Sequence, residues 1–438
     1  MEILSSKNIN KTINENTFST TAGNDMNTPN SIIFLNGFHT QADQLLIPEA
    51  LVAYIFSYLN FKDVFMCSVV SKYLYKCSQV TTVVNITSFD TNFQIANLKK
   101  ILTRFNIIKS LYVDNCKKID NSLLAGIIAH AKSANIIKFE NFFSHDLQTL
   151  IILNGVSKQL QSVKISGITF LQEQTRNFLT SLMTHRLKVI SLSGFRTLSD
   201  NDIENIFTNS PNLMEATFED CTRLKDILLN ASQLKYLSLS RCACLEGINA
   251  INLKKLEHLN ISNCRSLKSD SFQKLICESE LKYIKNIDMR FCSSIEMVSI
   301  SGKNPMHDLV SLNMEGCTSL NYVTLKNNPV LSNVRIGMCL ALEDVYIIAP
   351  KLQHLDLSMM SELRNVNLDC GNLKFFDCSG SGLSQEYLSM SKNTNVDNIK
   401  GINGNENDGR VDRNKHMSKV SIEKNKHSNN CVLGDKKI

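Results

Sequence analysis

The feature that most constrains this chain is a nine-residue pattern that returns along most of its length. The clearest copies read LKYLSLSRC (234–242), LEHLNISNC (256–264), IKNIDMRFC (284–292), LVSLNMEGC (309–317) and LSNVRIGMC (331–339). Weaker copies start at 108, 136, 160, 187, 213, 352 and 373, and a capping one spans 81–89. Successive starts lie 21 to 28 residues apart, a period that builds one strand and one return path per unit and no more. Inside each copy apolar residues alternate with polar ones, which is the period of a strand with one face buried. A unit this small cannot bury its own apolar side, so neighbours must stack into a solenoid of parallel strands.

Seven copies end in cysteine, at 116, 221, 242, 264, 292, 317 and 339. A small side chain with weak hydrogen-bonding capacity suits a buried turn leaving the sheet. Ligands on successive coils would make a ladder instead of a four-ligand cage, so the spacing argues against a metal centre. Cys242 and Cys244 form a lone CxC without a nearby histidine. The return paths differ. SDNDIENIFTNSPN (199–212) and SDSFQKLICESE (269–280) have helical periodicity and open with Ser-Asp, suited to the free amides of a helix start. LNYVTLKNN (320–328), LEDVYIIAP (342–350) and LRNVNLDCG (363–371) alternate instead and predict a second short strand. The expectation is a helix-backed N-terminal half and a strand-backed C-terminal half. The whole pattern resembles the cysteine-containing leucine-rich repeats, an α/β horseshoe with a parallel concave sheet.

Ahead of the repeats, residues 45–78 read LLIPEALVAYIFSYLNFKDVFMCSVVSKYLYKCS. Pro48 fits a first helical turn, and Leu51, Ile55 and Leu59 follow as an apolar stripe. Asn60 to Asp63 interrupts it, and Val64, Cys67, Val70 and Leu74 begin another. One reading of so small a helical unit is an N-terminal cap for the solenoid. The other is that it resembles an F-box, supplying Ile47, Pro48, Leu51, Ile55, Phe56, Tyr58, Leu59, Asp63, Val70 and Ser71 in register, with Ala50 and Leu74 where the family usually has Glu and Trp.

The chain is thus expected to divide into a lead, 1–42, and a basic tail, 391–438, both disordered by their Asn-rich polar composition, with 43–78 (F-box) and 79–390 (repeats) between them. The resemblance implies the substrate-receptor subunit of a Skp–cullin–F-box ubiquitin ligase, in which Ile47, Pro48, Leu51, Ile55, Phe56 and Leu59 meet a Skp-type adaptor and, through it, a cullin. A protein target would lie on the outward residues of the repeat strands: Glu215, Glu219, Tyr236, His258, Asp288, Arg290, Glu315, Arg335, Asp356 and Phe375. A leucine-rich scaffold unconnected to ubiquitin would carry the same repeats. No catalytic role and no cofactor is expected, since HExxH, Walker and GxSxG motifs are absent. An enzyme built on a reactive cysteine such as Cys370 would need a base that the sequence does not supply beside it.

Composition narrows the partners. Forty-seven Lys and Arg against 41 Asp and Glu leave +6, of which +4 falls after residue 390, so nucleic acid is not an expected partner. No apolar stretch is long enough for a bilayer, and the first residues lack a secretory pattern. Fourteen cysteines without such a signal point to the cytoplasm or nucleus, with the thiols reduced.

Overall fold

The computed structural model describes residues 47–87, 108–114, 121–143, 147–166, 172–301, 306–381 and 398–400. Expectations for residues 1–42, for Cys116 and for the chain beyond 400 lie outside them. Three short helices come first: α1 (Glu49–Phe56), α2 (Phe61–Val70) and α3 (Lys72–Val80). Pro48 precedes α1, and its carbonyl accepts the amides of Leu51 and Val52. Asn60 begins α2, its side chain accepting from the Lys62 amide at 3.3 Å. Ser71 then breaks the path and caps α3, accepting from the Leu74 amide at 3.1 Å. The second stripe read from sequence is thus cut at Ser71, and Val70 ends 76% exposed.

Among the described residues the repeats form a fourteen-stranded sheet, parallel throughout, from Val83–Thr87 to Asn398–Lys400. Each inward position meets its counterpart in the next coil: Leu237, Leu259, Ile287, Leu312, Val334, Leu355 and Phe376 stand in one register. All are at most 5% exposed, so the core is a continuous column, one rung per coil. The last strand lies beyond the boundary expected at 390 and pairs with Phe375–Asp377, Ile399 in register with Phe376.

The return paths correct one expectation. Helices α4 (Asn121–His130), α5 (Leu147–Asn154), α6 (Gln172–Leu182) and α7 (Asp200–Asn209) back the first coils. Strands Asp226–Asn230 and Gly247–Ile251 then pair as a small sheet, followed by helix α8 (Ser269–Glu278), before a four-stranded backing sheet from Met297–Ile300 to Asn365–Asp369. Backing does not divide by chain half. The repeats starting at 213 and 234 are 21 and 22 residues long and hold a strand, and the 28-residue repeat starting at 256 has room for a helix; between these lengths both occur, a helix in the 24-residue repeat at 136 and a strand in the 25-residue repeat at 284. The Ser-Asp starts do more than cap. At α7 the cap closes through Asp202, which accepts from the Ser199 amide at 2.9 Å, while Asp200 accepts the Lys225 and Asp226 amides of the neighbouring backing strand at 2.9 and 3.2 Å. At α8, Ser269 accepts from the Glu296 amide and Ser271 from the Ile248 amide, so those hydroxyls terminate neighbouring backing strands instead.

Candidate functional site

Two surfaces carry candidate residues. The first is the outside of the helical unit. Val52, Phe56, Phe61, Val64 and Cys77 turn inward, each at most 7% exposed. Asn85 on the first strand locks the unit to the sheet, its amide donating to the carbonyls of Ser57 (2.5 Å) and Leu59 (3.2 Å). Tyr73 donates its hydroxyl to the Ile47 carbonyl. What remains outside is apolar: Ile47, Leu51, Tyr54, Ile55 and Tyr58 on α1 and its flanks, with Met66, Val69 and Val70 on α2. Tyr54 and Tyr58 are linked hydroxyl to hydroxyl at 2.6 Å with their rings edge to face.

The structure therefore divides the six residues read as adaptor contacts. Ile47, Pro48, Leu51 and Ile55 are exposed. Phe56 is 4% exposed and Leu59 half-buried against the core, so neither belongs to the outer face. A helix turns 100° per residue, which carries Phe56 to the side opposite Tyr54 and Tyr58. Tyr54, Met66 and Val69 lie off the two stripes read from the sequence, and Val70 lies on the second of them but outside the six adaptor contacts.

The second surface is the open face of the long sheet. Its outward side chains form columns, because parallel strands in register place like positions side by side: Tyr236, His258, Asn286, Ser311, Asn333, His354 and Phe375 in one, Ser238, Asn260, Asp288, Asn313, Arg335, Asp356 and Asp377 in the next. The second column is a row of turns. Asn260, Asp288, Asn313, Asp356 and Asp377 each accept, through Oδ1, the amide two residues on, at 2.9–3.2 Å. Asp288 also grips Arg290, with Nε at 3.0 Å from Oδ1 and Nη2 at 2.8 Å from Oδ2, which holds the guanidinium further into its charged range. Glu219 accepts from Arg241 (3.1 Å) and from Ser238 (2.9 Å). Glu215 and Arg335 are exposed, and Glu315 is partly so.

Two details differ from the sequence reading. Tyr236 and Phe375 were expected as free aromatics; they are half-buried, tilted against His258 (6.3 Å) and His354 (6.1 Å) of the adjoining coil. Ser238 was expected on the surface and is 0% exposed, because strands this close cover a small side chain with its neighbours.

The turn cysteines explain themselves geometrically. Cys221, Cys242, Cys264, Cys292, Cys317 and Cys339 donate their thiols, at 3.0–3.2 Å, to carbonyls of the preceding coil: Leu192, Phe218, Leu239, Ile261, Met289 and Met314. Burial pushes Cys242, Cys317 and also Cys370 up to about 12, so these groups stay neutral thiols near pH 7. Among the described residues no group of three or more His, Cys, Asp or Glu side chains could hold a metal ion, and no helix is long and apolar enough to cross a membrane.

Against this geometry, residues 45–80 match the family model described as F-box domain. An F-box domain at residues 45–80 is thus followed by a solenoid of leucine-rich repeats. Among curated proteins the chain is similar to the disease resistance protein RPS4B of Arabidopsis thaliana, 27% identical over 225 residues, 42% of this chain and 18% of that protein. It is also similar to a probable disease resistance protein of the same plant, 23% identical over 207 residues, 42% of this chain and 22% of the other. The match thus spans about a fifth of the length of these relatives. Among solved structures, the complex of Rad7 and Elc1 in yeast aligns with 81% of this chain and 88% of its own at 16% identity and a TM-score of 0.45.

Proposed function

We propose that this protein is the target-receptor subunit of a Skp–cullin–F-box ubiquitin ligase, joining a Skp-type adaptor through the F-box and a protein target through the repeats. The observation that carries the reading is the apolar outer side of α1, with Leu51 49%, Ile55 47% and Tyr58 70% exposed in the segment that matches the F-box. Large apolar side chains kept exposed on one short helix mark an interaction site. The cullin enters through the adaptor, and the chain works by proximity. Holding a target near a ubiquitin thioester made elsewhere raises the effective concentration of the attacking lysine, so no side chain here need take part in bond making. The buried, neutral Cys370 agrees with that division of labour. We place this work in the cytoplasm or nucleus, where such thiols stay reduced.

Affinity purification of the full chain followed by mass spectrometry tests the reading. Adaptor, cullin and a target recovered together are the expected result. Recovery of proteins bound to the repeats with neither adaptor nor cullin would replace it with a scaffold unconnected to ubiquitin.

A further inference from the structure

Among the described residues from the copy at 187 onward, the residue just before the turn cysteine, or its equivalent, has a left-handed backbone. In the earlier coils it is Gly194, Asp220, Arg241 and Asn263, with φ between 57° and 79°. Glycine, asparagine and aspartate tolerate that region well, and long polar chains reach solvent from it. From the repeat at 284 onward the choice changes: Phe291 (φ 57°), Gly316 (71°), Met338 (63°), Met359 (57°) and Gly380 (67°). Bulky apolar residues are outliers there, and packing covers these only in part, with Phe291 39%, Met338 47% and Met359 58% exposed. A smaller or polar residue would meet the fold's need at lower backbone cost.

The five positions adjoin. The amides of Phe291, Gly316, Met338 and Met359 donate to Glu315, Gly337, Ser358 and Ser379 of the next coil, continuing the sheet's ladder to its rim. The Phe291 ring lies over Gly316, where a Cβ would come within 2.4 Å of it, and the Met359 sulfur lies over Gly380 in the same way, at 2.9 Å. The two glycines are thus the floor under the side chains of the coil before. The result is an apolar rail along one edge of the open face. Coils spaced about 4.8 Å apart make it roughly 19 Å long, the reach of about six extended residues. Beside it run Glu315, Asp356 and Asp377 against Arg335, while Asp288 and Arg290 neutralise each other.

We infer that this rail, with the carboxylates beside it, is the docking track for an extended protein segment that alternates apolar side chains with Lys or Arg. The inference rests on the receptor reading and names the class of target segment. An extended segment laid along the rail turns alternate side chains to opposite sides, apolar ones to Phe291, Met338 and Met359, cationic ones to the carboxylates. Methionines adapt to different apolar partners, which suits a receptor with more than one target.

The test uses the full chain and a fluorescein-labelled ten-residue peptide alternating Leu and Lys. One control peptide replaces Leu by Ser, the other Lys by Glu. The expected result is binding at least tenfold tighter than either control, and a further tenfold loss in F291N/M338N/M359N. Asparagine accepts the left-handed backbone more readily, so that variant should melt no lower than the parent; M338N and M359N singly serve if it does not express. E315Q/D356N should weaken the Leu-Lys peptide and flatten its salt dependence. Absent binding, or binding unchanged in the rail variants, would overturn the inference. So would a dimer of the parent, seen by light scattering, that the rail variants dissolve, since it would assign the rail to a second copy. Adaptor binding measured on the same preparations separates the two readings: its failure with the peptide still bound overturns the receptor reading and spares the rail, and the reverse outcome overturns the rail alone.

Discussion

At the scale of single residues, the turn cysteines contribute through a hydrogen bond and through neutrality. Cys264 donates to the Leu239 carbonyl at 3.1 Å beside the Cys242 amide at 3.2 Å, and Cys264→Ala would remove the first of these bonds and keep the second, a loss of about 0.5–1.5 kcal/mol measurable by denaturant unfolding. Burial raises these thiols from an ordinary value near 9 to about 12 for Cys242 and Cys317. The neutral thiol is favoured in the folded state, so its contribution is complete below about pH 9 and is lost as pH climbs from 9 toward 12. Melting midpoints across that window should fall, and C242A/C317A should flatten the fall; an identical pH slope in the double variant would refute this origin. The same scale revises the surface of the sheet. Leu237→Ala should cost about 2–5 kcal/mol as a core cavity. Ser238→Ala should cost about 0.5–1.5 kcal/mol, because its hydroxyl is buried and donates to Glu219. A Ser238 variant indistinguishable from the parent would show that bond to be inconsequential.

At the scale of elements, strand positions were legible because alternation with period two survives in every clear copy. The thiol at the end of each copy also announced its buried turn. The backing layer was legible only in part. Periodicity distinguished α7 and α8 from strands, yet repeat length separates helix from strand only at its extremes, and the repeats starting at 136 and 284, 24 and 25 residues long, take opposite backings. The inner and outer sides of the F-box helices were harder still. Leu51, Ile55 and Phe56 are all apolar, and only packing of α1 on its neighbours sends Phe56 inward and leaves Leu51 and Ile55 outside. The rail was invisible for a different reason: a methionine in a left-handed turn looks like any other methionine in sequence. Caps give this scale its test. Ser71 separates α2 from α3 and caps the latter, so Ser71→Ala should lower stability by about 1 kcal/mol. Hydrogen exchange should show the loss in Lys72–Val80 and leave the repeats protected; uniform loosening of the repeats would mean that Ser71 supports more than its own helix.

At the scale of the whole molecule, the two apolar surfaces have opposite fates. One is buried coil by coil into a column that continues from strand to strand. The other, on the F-box, stays open although the unit's inner side joins that same core and is hydrogen-bonded to the first strand through Asn85. A cap needs only the inner side; the proposed adaptor would cover the outer one. Titration of a purified Skp-type adaptor against the full chain and against L51D/I55D tests that proposal directly. A carboxylate buried without a partner costs several kcal/mol, roughly a thousandfold or more in affinity. The account predicts tight binding by the parent, loss of that order in the double variant, and an unchanged melting transition for the repeats. Adaptor binding by L51D/I55D within about threefold of the parent, a difference of less than about 0.7 kcal/mol, would contradict it.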